Sequence, residues 1–528
     1  MNLRALTLII AVAMLGASAV PAPVSAARRP AHAPPPPPPP PPRAGSLRIR
    51  SAATVPPRTP RVSVIQTSAD LTQGLVSLPG LQFAPGAPPL GVPVVRVNDT
   101  VRYQLFTGVG AALTDSSAWL IWDELPPPAR SALLRALFGR SGIGLNFLRV
   151  PIGASDYTAT GIPYTYDDVP AGSSDPALAG FSIAHDTSYI LPTLQAIRAL
   201  DPRLYLEAVP WSPPAWMKAN DALGNTGSAG GLLPSAYGVL AQYLVRFLQA
   251  YAEAGVPVTA VVPQNEPSVP ARYPGLELGE QQETAFVTQD LRPALAAAGL
   301  STSVFGWDLS WGPLGAADPL IAATGAAAPR APGQPAPALT GLAWHCYFGS
   351  PSVMSRAHDE APAMQQIVDE CSPGPGTVLP TSELLIASLR NWASAVALWN
   401  LALDPAGQPV QPPNTGCPGC TGVVTITEST GTYTLSRDFY ELGQLSRFVA
   451  PGAVRISSPH FVTYGLGPRH KPLVSPGLDD VAFENPDRSK VLLAYDDSPA
   501  PVTFAVAWRG SSFTATIPAG ATTTFVWR

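Results

Sequence analysis

The sequence predicts an α/β protein, a (β/α)8 barrel with an associated all-β sandwich built from segments on both sides of it. Two observations carry this. Between residues 106 and 400, short apolar runs alternate eight times with helical patterns, and strands alternating with helices pair in parallel through right-handed crossovers. On either side of that stretch the runs are β-like and separated only by turn residues, as in a sandwich. The eight barrel-strand candidates are Phe106–Leu113, Leu145–Ile152, Leu204–Val209, Val258–Pro263, Ser303–Trp307, Leu342–His345, Gln366–Asp369 and Ala395–Trp399. Between the third and fourth, Tyr237, Leu240, Leu244, Phe247, Leu248 and Tyr251 recur at helical spacing. Helices are also expected over Pro128–Phe138, Tyr189–Leu200, Gln281–Ala298 and Glu383–Trp392. The flanking strands are Arg61–Thr67, Pro93–Val97 and Tyr103–Leu105 before the barrel. After it come Val454–Ile456, Val481–Glu484, Val491–Tyr495, Val502–Trp508, Ser512–Ile517 and Thr522–Trp527.

Composition narrows the function classes. Of 528 residues, 46% are hydrophobic and only 13% charged, which excludes a largely disordered chain. The balance of 32 basic to 36 acidic residues argues against nucleic acid as a partner. Prolines number 64, about twice the usual share, with an unbroken run from Pro34 to Pro42. Arg4 precedes the apolar core Leu6–Leu15, and small-residue cleavage candidates follow at Ala17-Ser18-Ala19 and Val24-Ser25-Ala26. That is the layout of a secretory signal peptide, so an extracellular protein is expected. The expected organisation is a signal peptide over 1–27, a proline-rich linker over 28–60, sandwich strands over 61–105, the barrel over 106–445 and the rest of the sandwich over 446–528. The linker reads either as a spacer near a cell wall or as a leader without a role. Cys417 and Cys420 read as a local disulfide or two free thiols, because no second ligand pair completes a zinc site. Cys346 and Cys371 read as small buried apolar residues.

In such a barrel the chemistry sits where strands end. The expected strand ends carry Thr114-Asp115, Arg149, Trp211, Asn265-Glu266, Asp308, His345 and Tyr347, Glu370, and Trp399-Asn400. Glu266 and Glu370 fall at the fourth and seventh ends, where they can face each other across the barrel mouth. Paired carboxylates with aromatic walls suit glycoside cleavage: one acid protonates the leaving oxygen, one carboxylate attacks, and indole faces stack on sugar rings. Each residue alone is ordinary, a solvated Glu or a core Trp; their joint placement at successive ends is the signal.

The segments also resemble a known family. Gly108-Val109-Gly110-Ala111-Ala112-Leu113-Thr114-Asp115, Leu148-Arg149-Val150-Pro151, Pro210-Trp211-Ser212-Pro213-Pro214, Gln264-Asn265-Glu266-Pro267, Ala343-Trp344-His345-Cys346-Tyr347, Asp369-Glu370-Cys371 and Leu398-Trp399-Asn400-Leu401-Ala402-Leu403 resemble glycoside hydrolase family 30, the glucosylceramidase-like glycosidases, and the chain looks like a secreted bacterial member. The resemblance implies Glu266 as general acid/base, Glu370 as nucleophile, and retention of configuration. It implies Asp115, Trp211 and Trp399 in the terminal-sugar pocket, Asn265 on the sugar 2-hydroxyl, and Tyr347 and His345 supporting the nucleophile. Arg149 and Asp308 read equally as supporting residues or as a structural ion pair. No cofactor and no metal are implied. The substrate class expected from one Asp and two Trp around a pocket is a β-glucoside or glucosylceramide, with endo-β-1,6-glucanase activity on a β-glucan as the alternative. A non-catalytic carbohydrate-binding protein is the remote alternative. Gly108-Val109-Gly110 and Gly142-Ile143-Gly144 each lack the third glycine of a dinucleotide-binding motif.

Overall fold

A computed structural model of the chain describes residues 59–226, 230–312, 317–323, 338–373, 379–412, 417 and 419–528. The signal peptide and nearly all of the proline-rich linker expected from the sequence lie outside these residues, as do Gly416 and Pro418.

Eight parallel strands close into a barrel. In chain order they are Gly108–Ala112, Phe147–Ile152, Tyr205–Pro210, Ala260–Val261, Ser303–Trp311, Gly341–Gly349, Gln365–Glu370 and Ala393–Leu398. The first pairs with the eighth, Val109 opposite Val396, which seals the cylinder and leaves no edge. All eight coincide with the sequence-derived candidates, with two differences of length. The fourth regular strand is only Ala260–Val261, because the backbone turns out of the ladder toward Glu266, whose φ is +42°. The fifth and sixth run four residues further than expected, so Asp308, His345 and Tyr347 lie within strands. A helix over Ser352–Glu360 and another over Arg437–Ser446 were not anticipated. The expected Gln281–Ala298 helix is present as Glu280–Ala285 and Arg292–Ala297 with a wider turn, Phe286–Leu291, between them.

The sandwich has a seven-stranded and a four-stranded sheet. In the larger sheet Arg61–Thr67 pairs antiparallel with Thr522–Trp527, so segments from both ends of the chain share one ladder. A strand over Val76–Gln82, not foreseen because Pro79 and Gly80 interrupt its pattern, covers the outer edge. Phe83, Phe513, Trp508 and Trp527 pack between the sheets with ring centroids 4.9 to 6.1 Å apart. Each such buried aromatic side chain stabilises the domain by about 1.5–3 kcal/mol.

Candidate active site

Strand geometry decides which side chains meet inside the barrel. Successive residues point to opposite faces, so Phe147 and Arg149 share the lumen face, as do Tyr205 and Glu207, Ala343 and His345, and Ile367 and Asp369. Phe147, Val209, Ala260, Phe305, Ala343, Ile367 and Ala395 form one buried apolar cluster, the floor. Phe147 stacks on Tyr205 with centroids 5.2 Å apart. Two residues beyond Phe147, Ala343 and Ile367, the polar side chains of Arg149, His345 and Asp369 form a layer above it.

The centre of that layer is Arg149, fully buried. Its Nη1 donates to Glu370 Oε2 at 2.5 Å, and its Nη2 donates to Asn265 Oδ1 at 2.8 Å and Asp308 Oδ2 at 2.9 Å. Its Nε lies 2.9 Å from Asp369 Oδ2. His345, also fully buried, bridges this cluster to the cavity: Nε2 is 3.3 Å from Asp308 Oδ1, and Nδ1 is 3.2 Å from Glu266 Oε1 and 3.6 Å from Glu370 Oε1. The Tyr347 hydroxyl donates to Glu370 Oε1 at 2.9 Å, and the Tyr273 hydroxyl to Glu266 Oε2 at 3.2 Å.

Glu266 and Glu370 therefore face each other, with carboxylate oxygens within 4.8 Å. Glu266 and Asp308, with φ +42° and +46°, both take the left-handed region. For residues with a side chain this costs about 1–2 kcal/mol each and is sustained by the packing around an active site. The Glu266 amide is held there by the Asp308 carbonyl at 3.1 Å.

The electrostatics follow from one guanidinium among several buried acids. Burial alone would raise Asp308, but Arg149 and His345 hold it down at about 2. Burial pushes the Glu370 carboxyl up, with His345 and Arg149 pulling against it. Burial works against a charged His345, yet Glu370 and Asp308 raise it well above the usual imidazole value. Glu207, buried beneath the cluster, is pushed up to about 8 by burial. Burial and the neighbouring Asp308 raise Asp369 well above the carboxylate range. Burial thus works against ionisation of Glu207 and Asp369, while Arg149 favours it for both.

Above this layer lies a cavity of about 590 Å³, within the usual range for small-molecule sites. Trp211 and Trp399 form its inner wall, stacked with centroids 5.2 Å apart and nearly completely buried. The Arg149 guanidinium carbon lies 4.8 Å from the Trp211 ring centroid. Asn265, Glu266, Tyr273, Tyr347 and Glu370 also line the cavity.

Asp115, expected in the sugar pocket, is not part of this wall. Its carboxylate accepts from the Ala159 amide at 2.6 Å, the Tyr164 hydroxyl at 3.0 Å and the Tyr189 hydroxyl at 3.0 Å, and it pairs with His185 Nε2 at 2.7 Å. With four partners, both oxygens are committed to holding the loop after the second strand against the first. The acid that lines the cavity is Asp156, on that loop. Burial, then the charge of Glu370, raises its carboxyl well above the usual range. The adjacent Tyr157 packs edge-on against Trp399.

One pair of cysteines departs from expectation, and the other takes the first of its two expected forms. Cys346 and Cys371 are disulfide-bonded, which ties the sixth and seventh strands together one residue after His345 and after Glu370. No local pattern marks two cysteines 25 residues apart as a pair; parallel registry, with His345 opposite Glu370, brings them together. Cys417 and Cys420 form a second, local disulfide. Among the described residues, two triads are compact enough to share a cation, Glu266–His345–Glu370 and Asp308–His345–Asp369. In the second, Arg149 already supplies the positive charge.

Asp156, Glu207, Tyr273 and Asp369 were missed by the sequence reading. Glu207 had a usable signal, a charged residue on the inward parity of an otherwise apolar strand, and Asp369 follows Ile367 on the inward parity of its own strand. Tyr273 had none, since it comes from the loop after the fourth strand.

An eight-stranded parallel barrel whose strand ends set two carboxylates across an aromatic-walled cavity defines a glycoside hydrolase. The chain matches the glycosyl hydrolase family 30 TIM-barrel domain over residues 106–306 and the family's beta sandwich domain over 452–525. It belongs to glycosyl hydrolase family 30. It is 31% identical over 437 residues to an endo-1,6-beta-D-glucanase of Neurospora crassa, covering 80% of this chain and 88% of that one. Its structure resembles that of the endo-beta1,6-glucanase BT3312, with a TM-score of 0.73 at 26% identity, covering 88% of this chain and 99% of that one. The lysosomal acid glucosylceramidase of Mus musculus is 27% identical over 477 residues, 81% of this chain and 82% of the enzyme.

Proposed function

We propose that this protein is a retaining endo-β-1,6-glucanase. The observation that carries the reaction class is that one oxygen of each carboxylate lies within 4.8 Å of the other, too close for a water to be held between the two groups. Retaining glycosidases need about 5–5.5 Å between the carboxyl groups, whereas inverting ones leave roughly 6.5–9.5 Å for a water. In the first step, ionised Glu370 attacks the anomeric carbon and Glu266 gives its proton to the departing oxygen. In the second, Glu266 takes a proton from the water that attacks the same carbon, and Glu370 leaves as a carboxylate. Atoms and charge balance without a cofactor. Arg149 and Tyr347 fix the nucleophile through one bond to each oxygen. Asn265 Oδ1 is held by Arg149, which turns its amide nitrogen outward to donate to a sugar hydroxyl. Trp211 and Trp399 supply ring faces, and Asp156 supplies the wall carboxyl in the place expected of Asp115.

The linkage preference rests on likeness. Glucanases acting on β-1,6 bonds are similar at 31% and 26% identity, and support the alternative from the sequence over the glucosylceramide reading. The mouse glucosylceramidase, at 27%, keeps glucosylceramide as the second substrate to test. Export from the cell is proposed on the Leu6–Leu15 run; among the described residues no helix is long and apolar enough to cross a membrane. The test is product profiling on a β-1,6-glucan, glucosylceramide and an aryl β-glucoside, with anomers followed by NMR. Oligosaccharides of mixed length, released first as the β-anomer, are expected from the glucan. Turnover confined to glucosylceramide would overturn the glucanase assignment, and an initial α-anomer would overturn retention.

A further inference from the structure

The outer margin of the cavity is built differently from its inner wall. Trp211 and Trp399 close the inner end in full burial, but Phe348, next along the strand from Tyr347, is 49% exposed while still lining the cavity. Lys471 lines the same margin, with Nζ 4.6 Å from the Phe348 ring centroid. Lys471 is not a barrel residue. It sits at the tip of a hairpin, Tyr464–Leu466 paired with Pro472–Val474, which the sandwich segment sends against the sixth barrel strand.

Three features hold this hairpin in place. The Tyr464 hydroxyl donates to Asp479 Oδ2 at 2.9 Å, which anchors its base to the large sheet. The Gly467 amide donates to the Lys471 carbonyl at 2.8 Å. Arg469 and His470 turn the tip through φ +56° and +59°. Of the chain's three lysines, Lys218 is buried among backbone carbonyls and Lys490 is paired with Glu484 and Asp99. Lys471 is therefore the lysine presented at the cavity. Beside it, Leu466 and Leu473 are 57% and 52% exposed on the hairpin.

The geometry points to Phe348 and Lys471, with this hairpin, as a subsite for a glucose unit on the leaving-group side of the cleaved bond. This deepens the proposed glucanase reading and rests on it. The inner end is closed by the tryptophan pair, so the part of the substrate that departs exits past the open margin. A sugar ring has apolar C–H faces that pack on an aromatic face, and hydroxyls that accept from an ammonium group. Phe348 and Lys471 offer both at one place. A ceramide would use the exposed leucines instead and leave the ammonium unpaired.

The test compares kcat/KM of the wild type, Phe348→Ala and Lys471→Met on β-glucosyl fluoride, whose leaving atom is too small to reach the margin, and on β-1,6-linked gluco-oligosaccharides of two to six units. The expected result is a loss on every oligosaccharide from the disaccharide up, and a smaller one on the fluoride. For Phe348→Ala it reaches roughly tenfold, the scale of one aromatic contact. Equal losses on the fluoride and the oligosaccharides, or none on the oligosaccharides, would overturn the subsite. A wild type that cleaves no β-1,6 chain of any length would instead overturn the glucanase reading, before either variant is compared. Both variants are near the surface, and circular dichroism matching wild type confirms that they fold.

Discussion

Arg149 carries the site's charge balance, and its removal has a calculable consequence. The guanidinium touches Glu370, Asn265 and Asp308 and pairs with Asp369, all in a space without solvent. Taking one partner from a buried ion cluster costs about 3–5 kcal/mol, because the remaining charges stay buried without compensation. Arg149→Met should therefore lower stability by that amount, read from the shift of a denaturant curve followed by tryptophan fluorescence. Arg149→Lys keeps the charge but cannot present three nitrogens at once. The charge-assisted bond to Glu370 is worth about 1.5–3 kcal/mol, so losing it should reduce kcat by roughly 10- to 150-fold on an aryl β-glucoside. Arg149 does not line the cavity, so KM should stay within a factor of about two. Removing a cation that holds the Glu370 carboxyl down raises that carboxyl, so the acidic limb of the kcat/KM profile should move to higher pH. An Arg149→Lys enzyme with wild-type kcat, or an Arg149→Met enzyme with an unmoved acidic limb, would refute the role assigned to the cluster.

The other expectations concern single contacts. Tyr273→Phe removes the hydroxyl that donates to Glu266 and should cost about two- to tenfold in kcat, measured on the same glucoside; an unchanged rate would remove Tyr273 from the machinery. Cys346→Ala with Cys371→Ala opens a link spanning 25 residues, for which chain entropy predicts a loss of about 3 kcal/mol, read by denaturation. The same change at Cys417 and Cys420, three residues apart, should cost less, and the reverse ranking would contradict the argument. Burial pushes Glu283 up from 4.5 to about 8 while it accepts from the Trp307 amide at 3.0 Å. Between those values the folded protein holds a proton that the unfolded chain releases. The Glu283 contribution to stability is therefore full below about pH 4.5 and is lost as pH rises through about 8, by at most about 5 kcal/mol. Glu283→Gln should flatten that slope, measured as unfolding free energy from pH 5 to 8; parallel profiles would show the carboxyl ionised in the fold.

Barrel strands were legible because alternation of apolar runs and helices is a property of local sequence, and the strand ends marked Glu266, Glu370, Trp211 and Trp399 as neighbours. Charge partnerships were not. Asp115 and Asp156 each follow a barrel strand with a Ser or Thr beside them, and nothing local says which one four donors will capture. That depends on Tyr164, His185 and Tyr189, tens of residues away. Likewise the Cys346–Cys371 link follows from the registry of two parallel strands, which loop length does not set. The hairpin tip at Lys471 was unreadable for a further reason: its site lies on the barrel, and its sequence belongs to the sandwich.

The pairing of Val62 with Trp527 has a consequence for synthesis. At about 5–20 residues per second, the ribosome takes roughly 20–90 s to deliver the partner of a strand that emerged among the first. Through that interval Arg61–Thr67 is paired on one edge only, with Val76–Gln82, and its other edge stands open to a strand of a neighbouring nascent chain. A chaperone that shields extended segments would act here, and the yield of native protein should fall with expression rate before any change in the stability of the finished fold.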